Sequence, residues 1–392
     1  MFFLDKQTKR INNKRTLTRD KIFWRSRLMM KREEKEARLT GKLKDSLFCI
    51  DDAYVEDLHR LGWDERSAES LAAWDWPHGI GLFGLWKLYV YTGDSAILDD
   101  LFRWFDSRLR LGLPPRNVNT VTPFLTMAFL YEKTERSGWE KIMTDLALWI
   151  MSDMPRTPEG GIQHKHAQLD NHGDLWDDTL FMTCLFLAKA GKVFGRKDWV
   201  DEAVYQTLLH MKYLIDTETG LWYHAWSFDR RDNYADALWG RGNCWITVFI
   251  PEFIDIVKPD EPVRRMLVNA LERQIESLVE YQDASGLWHT LINDPTSYLE
   301  SSATAGFCAG IFRAVRMGYI GRNYLGTAEK GLDALYDEID ADGTVLNVSY
   351  GTNVGHDLDH YRNIPIRPMQ YGQGLMMMAV IEGKEAVKED NR

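Results

Sequence analysis

Hydrophobic positions along this chain recur at helical spacing. Residues 179–194 place Leu180, Cys184, Leu187 and Phe194 near one face, and residues 244–257 do the same with Trp245, Phe249, Phe253 and Ile256. Pro251 is expected to kink the second of these helices. Residues 303–317 and 373–382 read as helices rich in small residues and methionine. Strand-like alternation is confined to four short motifs: EGGIQH (159–164), TGLWYH (219–224), SGLWHT (285–290) and DGTVLN (342–347). Each follows a helical stretch and opens on a turn residue with glycine. Their glycines, Gly161, Gly220, Gly286 and Gly343, are separated by 59, 66 and 57 residues. A period of about 60 holds two helices and two loops, so the chain holds roughly six such units. The pattern predicts an all-α fold, twelve mostly antiparallel helices closed into an α/α toroid as a single domain. An open solenoid is the alternative, but the repeats are too divergent for an open array. There is no βαβ alternation and no glycine-rich phosphate loop.

Composition adds a division of charge. The 392 residues carry a net charge of −10, yet residues 1–43 hold 14 Lys+Arg against 5 Asp+Glu, and the remainder 34 against 53. The expected organisation is a basic extension over 1–43 (helical or mobile), a barrel over 44–385 and a polar tail over 386–392. The acidic body excludes nucleic acid as the main partner. No apolar window is long enough to cross a membrane, and Met1–Leu4 is too short for a secretory signal. Cys49, Cys184, Cys244 and Cys308 are scattered, which favours free thiols, a reducing compartment and a cytoplasmic location. No Cys/His spacing suggests zinc. A monomer or homodimer is expected.

Candidate chemistry centres on DLWDDTLFM (174–182). Asp177 and Asp178 follow Trp176 and open an apolar helix. A carboxyl wedged between an aromatic and an apolar helix can have its pKa raised toward neutral, as a general acid requires. Alternatively the pair only caps the helix. Tryptophans cluster with polar groups in WDW (74–76), WYHAW (222–226) and WGRGNCW (239–245). Flat aromatic faces beside hydrogen-bonding groups suit a sugar; packing in a large helical core is the competing explanation. Arg241, between glycines and between Trp239 and Trp245, can grip a carboxylate with its fork. His164, His166, His172 and His224 share the same loop system.

Several motifs together resemble one family, the unsaturated glucuronyl and galacturonyl hydrolases of glycoside hydrolase families 88 and 105, which include unsaturated rhamnogalacturonyl hydrolases. The pieces are WDWPHGIGLFGLWKLY (74–89), GGIQHK (160–165), WDDTLFM (176–182), GLWYHAW (220–226), WGRGNCW (239–245), YQDASGLWH (281–289), LESSATA (299–305), YGTNVG (350–355) and YGQGLMMMA (371–379). The resemblance implies an (α/α)6 barrel without metal or organic cofactor. It implies release of a 4,5-unsaturated uronic acid from the non-reducing end of lyase-generated oligosaccharides, by hydration of the C4=C5 bond. It places the catalytic acid/base on Asp178, with Asp177 as a structural or pKa-tuning neighbour. Substrate contacts fall on His164, His224, Trp239, Arg241, Trp245, Met182 and Trp76.

One position departs from the family pattern. Where a second Asp is expected, this chain has Asn119, in Asn117-Val118-Asn119. Asn can bind a hydroxyl or orient water but carries no charge, so it would raise the pKa of Asp178 less. Unchanged chemistry, a different sugar and lost activity are all compatible with that change. Three further readings stand beside the main one. They are a 2-epimerase-like isomerase using paired histidines such as His164, His224 and His289, a sugar-binding pseudoenzyme, and a two-carboxylate glycosidase with Asp75 or Asp177 as second group.

Overall fold

The computed structural model describes residues 31–390, and nearly all of its regular structure is helical. In chain order the helices are α1 (31–46), α2 (Asp52–Arg60), α3 (Glu65–Trp74), α4 (Trp76–Thr92), α5 (Ser95–Leu111), α6 (Pro123–Thr134) and α7 (Trp139–Ser152). There follow α8 (Leu185–Val193), α9 (Lys197–Leu214), α10 (Gly240–Val257), α11 (Glu261–Glu280), α12 (Ser301–Arg316), α13 (Leu325–Asp337), α14 (Leu358–Arg362) and α15 (Gln370–Asp390). Two small antiparallel pairs complete the set: β1 (Asp174–Trp176) with β2 (Ala225–Ser227), and β3 (Trp288–His289) with β4 (Leu299–Glu300).

Six helices form a closed inner ring, α4, α6, α8, α10, α12 and α15, each packed on the next and α15 returning to α4. A helix with neighbours all round must be apolar all round. In α10 and α12 every residue of Gly240–Ile254 and Ser301–Val315 is buried. The outer helices are amphipathic instead: α5 buries Ile97, Leu101, Trp104, Phe105 and Arg108 and turns its other positions outward. Outer helices α5, α7, α9, α11 and α13 pack on α4, α6, α8, α10 and α12. This is the (α/α)6 toroid expected from the loop period. Pro251 lies inside α10.

The sixth outer helix is α1. Its Leu39, Leu43 and Leu47 are in the main core. Its charged residues pair with the acidic body: Arg32 with Asp333 at 2.6 Å, Lys42 with Asp342 at 2.7 Å and Lys44 with Asp100 at 2.8 Å, while Glu36 accepts from Tyr336 Oη and pairs with Lys384. The boundary expected at 43/44 therefore runs through a helix that the ring requires. The segment 31–43 is barrel, and its basic residues neutralise the body's acidic ones. Residues 1–30 of the expected extension lie outside the described residues. The expected polar tail from 386 begins within α15, where Ala386 is still buried.

The four glycine motifs connect an outer helix to the next inner one. In each, a glycine at positive φ closes the turn: Gly160 (79°), Gly220 (77°), Gly286 (102°) and Gly343 (90°). Only glycine adopts this backbone cheaply. The first repeat position is thus Gly160, one residue before the Gly161 expected from sequence.

Candidate active site

The loops at one end of the ring surround a cavity of about 260 Å³. The ladder β1–β2 fixes its centre. Trp176 pairs with Ala225, and the Asp177 N–H donates to His224 O at 3.0 Å. The chain then enters the inner ring through Leu180–Cys184, where the hydrogen bonds widen to a π turn, a feature frequent at functional sites. Asp178 stands in the first turn of this segment and lines the cavity, its side chain 15 % exposed.

Asp177 is 0 % exposed, and neither of its oxygens has a hydrogen-bond partner. It does not cap a helix, which removes the capping explanation of the pair. It does not reach the cavity either, so it is not placed to contact a substrate directly. A Cβ on Gly242 would overlap its carboxylate, so the first turn of α10 has glycine where Asp177 must fit. Burial, and then the charge of Asp178, push the Asp177 carboxyl well above the usual carboxylate range. Burial alone would raise Asp178 too, but contact with His224 and then Asp177 outweighs it and holds Asp178 below its ordinary value. The expectation of a raised Asp178 is thus reversed. In this pair the sealed Asp177 is the member that favours the proton, and Asp178, the member that favours the charge, faces the cavity.

His224 Nε2 lies 3.2 Å from Asp178 Oδ2, and its Nδ1 lies 2.8 Å from Tyr361 Oη. The ring packs on Trp239 at 4.3 Å. His224 is buried behind Asp178 and is not part of the cavity wall, so it contacts Asp178 where a direct substrate contact was expected. His164 is on the wall, stacked on Trp176 at 4.3 Å and 7°, with Nδ1 2.7 Å from Thr179 Oγ1. Burial keeps His164 and His224 below the ordinary histidine pKa and pushes His166 down to about 4, so all three are neutral at physiological pH.

Arg241 lies in the first turn of α10 and is 1 % exposed. Its guanidinium stacks over Trp239 and Tyr371. Nη1 donates to Ser349 O at 2.8 Å and to Ser349 Oγ, and Nη2 donates to Tyr350 O at 2.9 Å. Much of the fork is thus spent on the backbone of 349–350, while Nε has no partner. Trp76, Asn119, Met182 and Trp239 line the cavity as expected. Trp245 does not: it is 0 % exposed and sits edge-on behind Trp76, at 6.0 Å. His172 pairs with Asp229 at the surface, and His289 lies off the cavity.

Sequence reasoning missed part of the wall. Asp51, Tyr54 and Asp57 contribute from the α2–α4 side, beside Asp75, which the sequence offered only as an alternative second carboxylate, and Tyr350, Thr352, Asn353 and Gln370 come from the far end of the chain. Asp75 caps α4 through the Trp76 N–H (2.8 Å) and accepts from Tyr54 Oη (2.7 Å). Burial raises its carboxyl to about 6. Only the YGTNVG motif had pointed to any of the far-end residues.

Among the described residues, Asp177, Asp178 and His224 are the one group of three or more such side chains whose donor atoms could hold a cation, all within 4.8 Å of one another. The same geometry shares protons. A buried carboxyl without hydrogen-bond partners, such as Asp177, costs less neutral than charged and so keeps its proton.

A closed double ring of helices, with a carboxylate pair and an aromatic cleft at the loop end, defines a six-hairpin glycosidase. The chain belongs to Glycosyl Hydrolase Family 88, whose profile matches residues 55–386. It is 33 % identical over 316 residues to the unsaturated rhamnogalacturonyl hydrolase YesR of Bacillus subtilis, covering 80 % of this chain and 90 % of that one. Among solved structures it is similar to a possible member of the GH105 family from Salmonella enterica serovar Paratyphi A (44 % identity, TM-score 0.84, 88 % of this chain and 93 % of that one). The unsaturated glucuronyl hydrolase of Bacillus sp. GL1 shares the fold (19 % identity, TM-score 0.62, 78 % and 85 % covered).

Proposed function

We propose that this glycosidase removes a 4,5-unsaturated uronic acid from the non-reducing end of lyase-generated oligosaccharides by hydrating the C4=C5 bond. The observation that carries the reading is the division of labour between Asp177 and Asp178. One carboxyl faces the sugar and its sealed neighbour holds a proton, a pair that titrates as a unit. The proton passes through Asp178 to C4 of the vinyl ether. Water adds to the oxocarbenium carbon C5, and its proton returns to the carboxylate. The C5 hemiketal opens to a ketone, freeing the C1 hemiacetal to release the aglycone alcohol. One water is consumed.

Trp239 and Trp76 supply apolar faces for the sugar ring. Arg241 and neutral His164, both on the cavity wall, offer a positive charge and a donor to the uronate carboxylate. Asn119 remains a binder of a hydroxyl or of water, and the second carboxyl of the site is Asp177. The buried thiols Cys184, Cys244 and Cys308 are free, which fits a reducing, cytoplasmic setting.

The test follows the ultraviolet absorbance of the conjugated uronate on unsaturated disaccharides from pectin and from glycosaminoglycans. Loss of absorbance that requires Asp178 supports the reading. Unchanged absorbance on every unsaturated substrate, with folded protein, overturns it.

A further inference from the structure

We propose that Tyr361 is a positioning residue for this site, which sets the tautomer of His224 and ties that ring to the loop over the cleft; the role in turnover rests on the activity proposed above. Tyr361 lies in α14 and is 1 % exposed. Its hydroxyl accepts the Gly355 N–H at 3.0 Å and lies 2.8 Å from His224 Nδ1. The Gly355 contact occupies a lone pair and leaves the hydroxyl hydrogen unused. Among the described hydrogen bonds, the one acceptor for that hydrogen is His224 Nδ1. A neutral imidazole has one donor and one acceptor nitrogen. With Nδ1 accepting, the ring hydrogen belongs on Nε2, the nitrogen 3.2 Å from Asp178 Oδ2.

Two consequences follow. With its hydrogen on Nε2, His224 offers no lone pair on the side of Asp178, 3.2 Å away, so it does not take the catalytic proton. A doubly protonated ring would have to donate Nδ1–H to the hydroxyl's second lone pair and turn the O–H away from its one acceptor, so the contact favours the neutral imidazole. Gly355 belongs to the segment whose Tyr350, Thr352 and Asn353 line the cavity. The seating of that loop and the orientation of His224 therefore share one hydroxyl.

The test uses the full-length enzyme labelled with 15N-histidine, its ten histidines assigned by substitution. Long-range proton–nitrogen spectra are expected to show a pyridine-type Nδ1 and a protonated Nε2 for His224. Tyr361→Phe keeps the ring packing and removes the hydroxyl. It is expected to abolish that signature and lower kcat roughly 10- to 100-fold, with KM changed less than about twofold. A protonated Nδ1 in the unmodified enzyme overturns the proposal, as does a variant with unchanged spectrum and kcat. If no unsaturated uronide is turned over at all, the activity reading fails, and the His224 spectrum still decides the tautomer by itself.

Discussion

His164 and His224 occupy the same place in two successive copies of one loop. Each stands four residues after a glycine that turns the chain at positive φ, Gly160 and Gly220. The two copies do different work. His164 faces the cavity on the face of Trp176, and His224 stands behind Asp178 against Trp239. The third and fourth copies place Thr290 and Asn347 at that position, and neither lines the cavity. A structural repeat has thus supplied a wall residue and a support residue to the two sides of one carboxylate.

Asp178→Asn removes the only member of the pair that faces the sugar. Turnover is expected to fall on the order of 100- to 10,000-fold, the usual contribution of an acid–base group. Stability should change little, because the amide fills the same space at the edge of the cavity. Uronate absorbance and thermal unfolding check both halves; a variant with full activity refutes the assignment.

Asp177→Asn separates the proton store from the group that delivers it. The substitution keeps the shape and the neutral state, so the fold should persist. We expect kcat to drop roughly 10- to 100-fold with KM nearly constant. Gly242→Ala should damage the same step by another route, since its Cβ would collide with the Asp177 carboxyl. Steady-state kinetics on one unsaturated disaccharide compares all three variants.

Asp75 gives a stability prediction with a definite sign. Its carboxyl has a pKa of about 6 in the folded chain, against about 3.9 when unfolded. The folded state therefore holds the proton more tightly. Its contribution is fully present below about pH 4 and is lost as pH rises through about 6, up to about 3 kcal/mol. Asp75→Asn keeps an acceptor for the Trp76 N–H and for Tyr54 without titrating. Its stability relative to the unmodified protein should rise between pH 4 and 7, measured by urea denaturation across that range. A constant difference would contradict the assignment.

Leu43→Ala tests whether α1 is part of the ring. The side chain is fully buried, so truncation should cost about 2–5 kcal/mol. Denaturant midpoints measure this directly. A change below about 0.5 kcal/mol, typical of a surface position, would return this segment to the status of an appendage.

The architecture was legible in the sequence because it is periodic. Glycines at a spacing of about 60 residues, with helical hydrophobic periodicity between them, leave few alternatives to a closed ring. The exceptions have physical reasons. Basic composition made 31–43 look solvated, although Leu39, Leu43 and Leu47 at four-residue spacing mark a buried stripe. Trp245 looked like a wall residue because it follows Arg241 by one turn of α10; one turn further along an inner helix is already core. Asp178, His164, Trp239 and Arg241 could be found because each sits in a compact motif. Asp51 and Tyr350, joined at 2.7 Å across the cleft, are 299 residues apart in sequence, and local pattern carries no trace of their meeting.

The placement of α1 also sets an order of events at the ribosome. Ahead of the other outer helices among the described residues, α1 rests not only on α5 but on α13 and α15, the last parts of the ring to emerge. Until then its leucines have no complete surface to bury against, and contacts of such long sequence separation form late. The lysines and arginines that later pair with Asp333, Asp342 and Asp100 are, during this wait, the charges that keep a leucine-bearing helix in water.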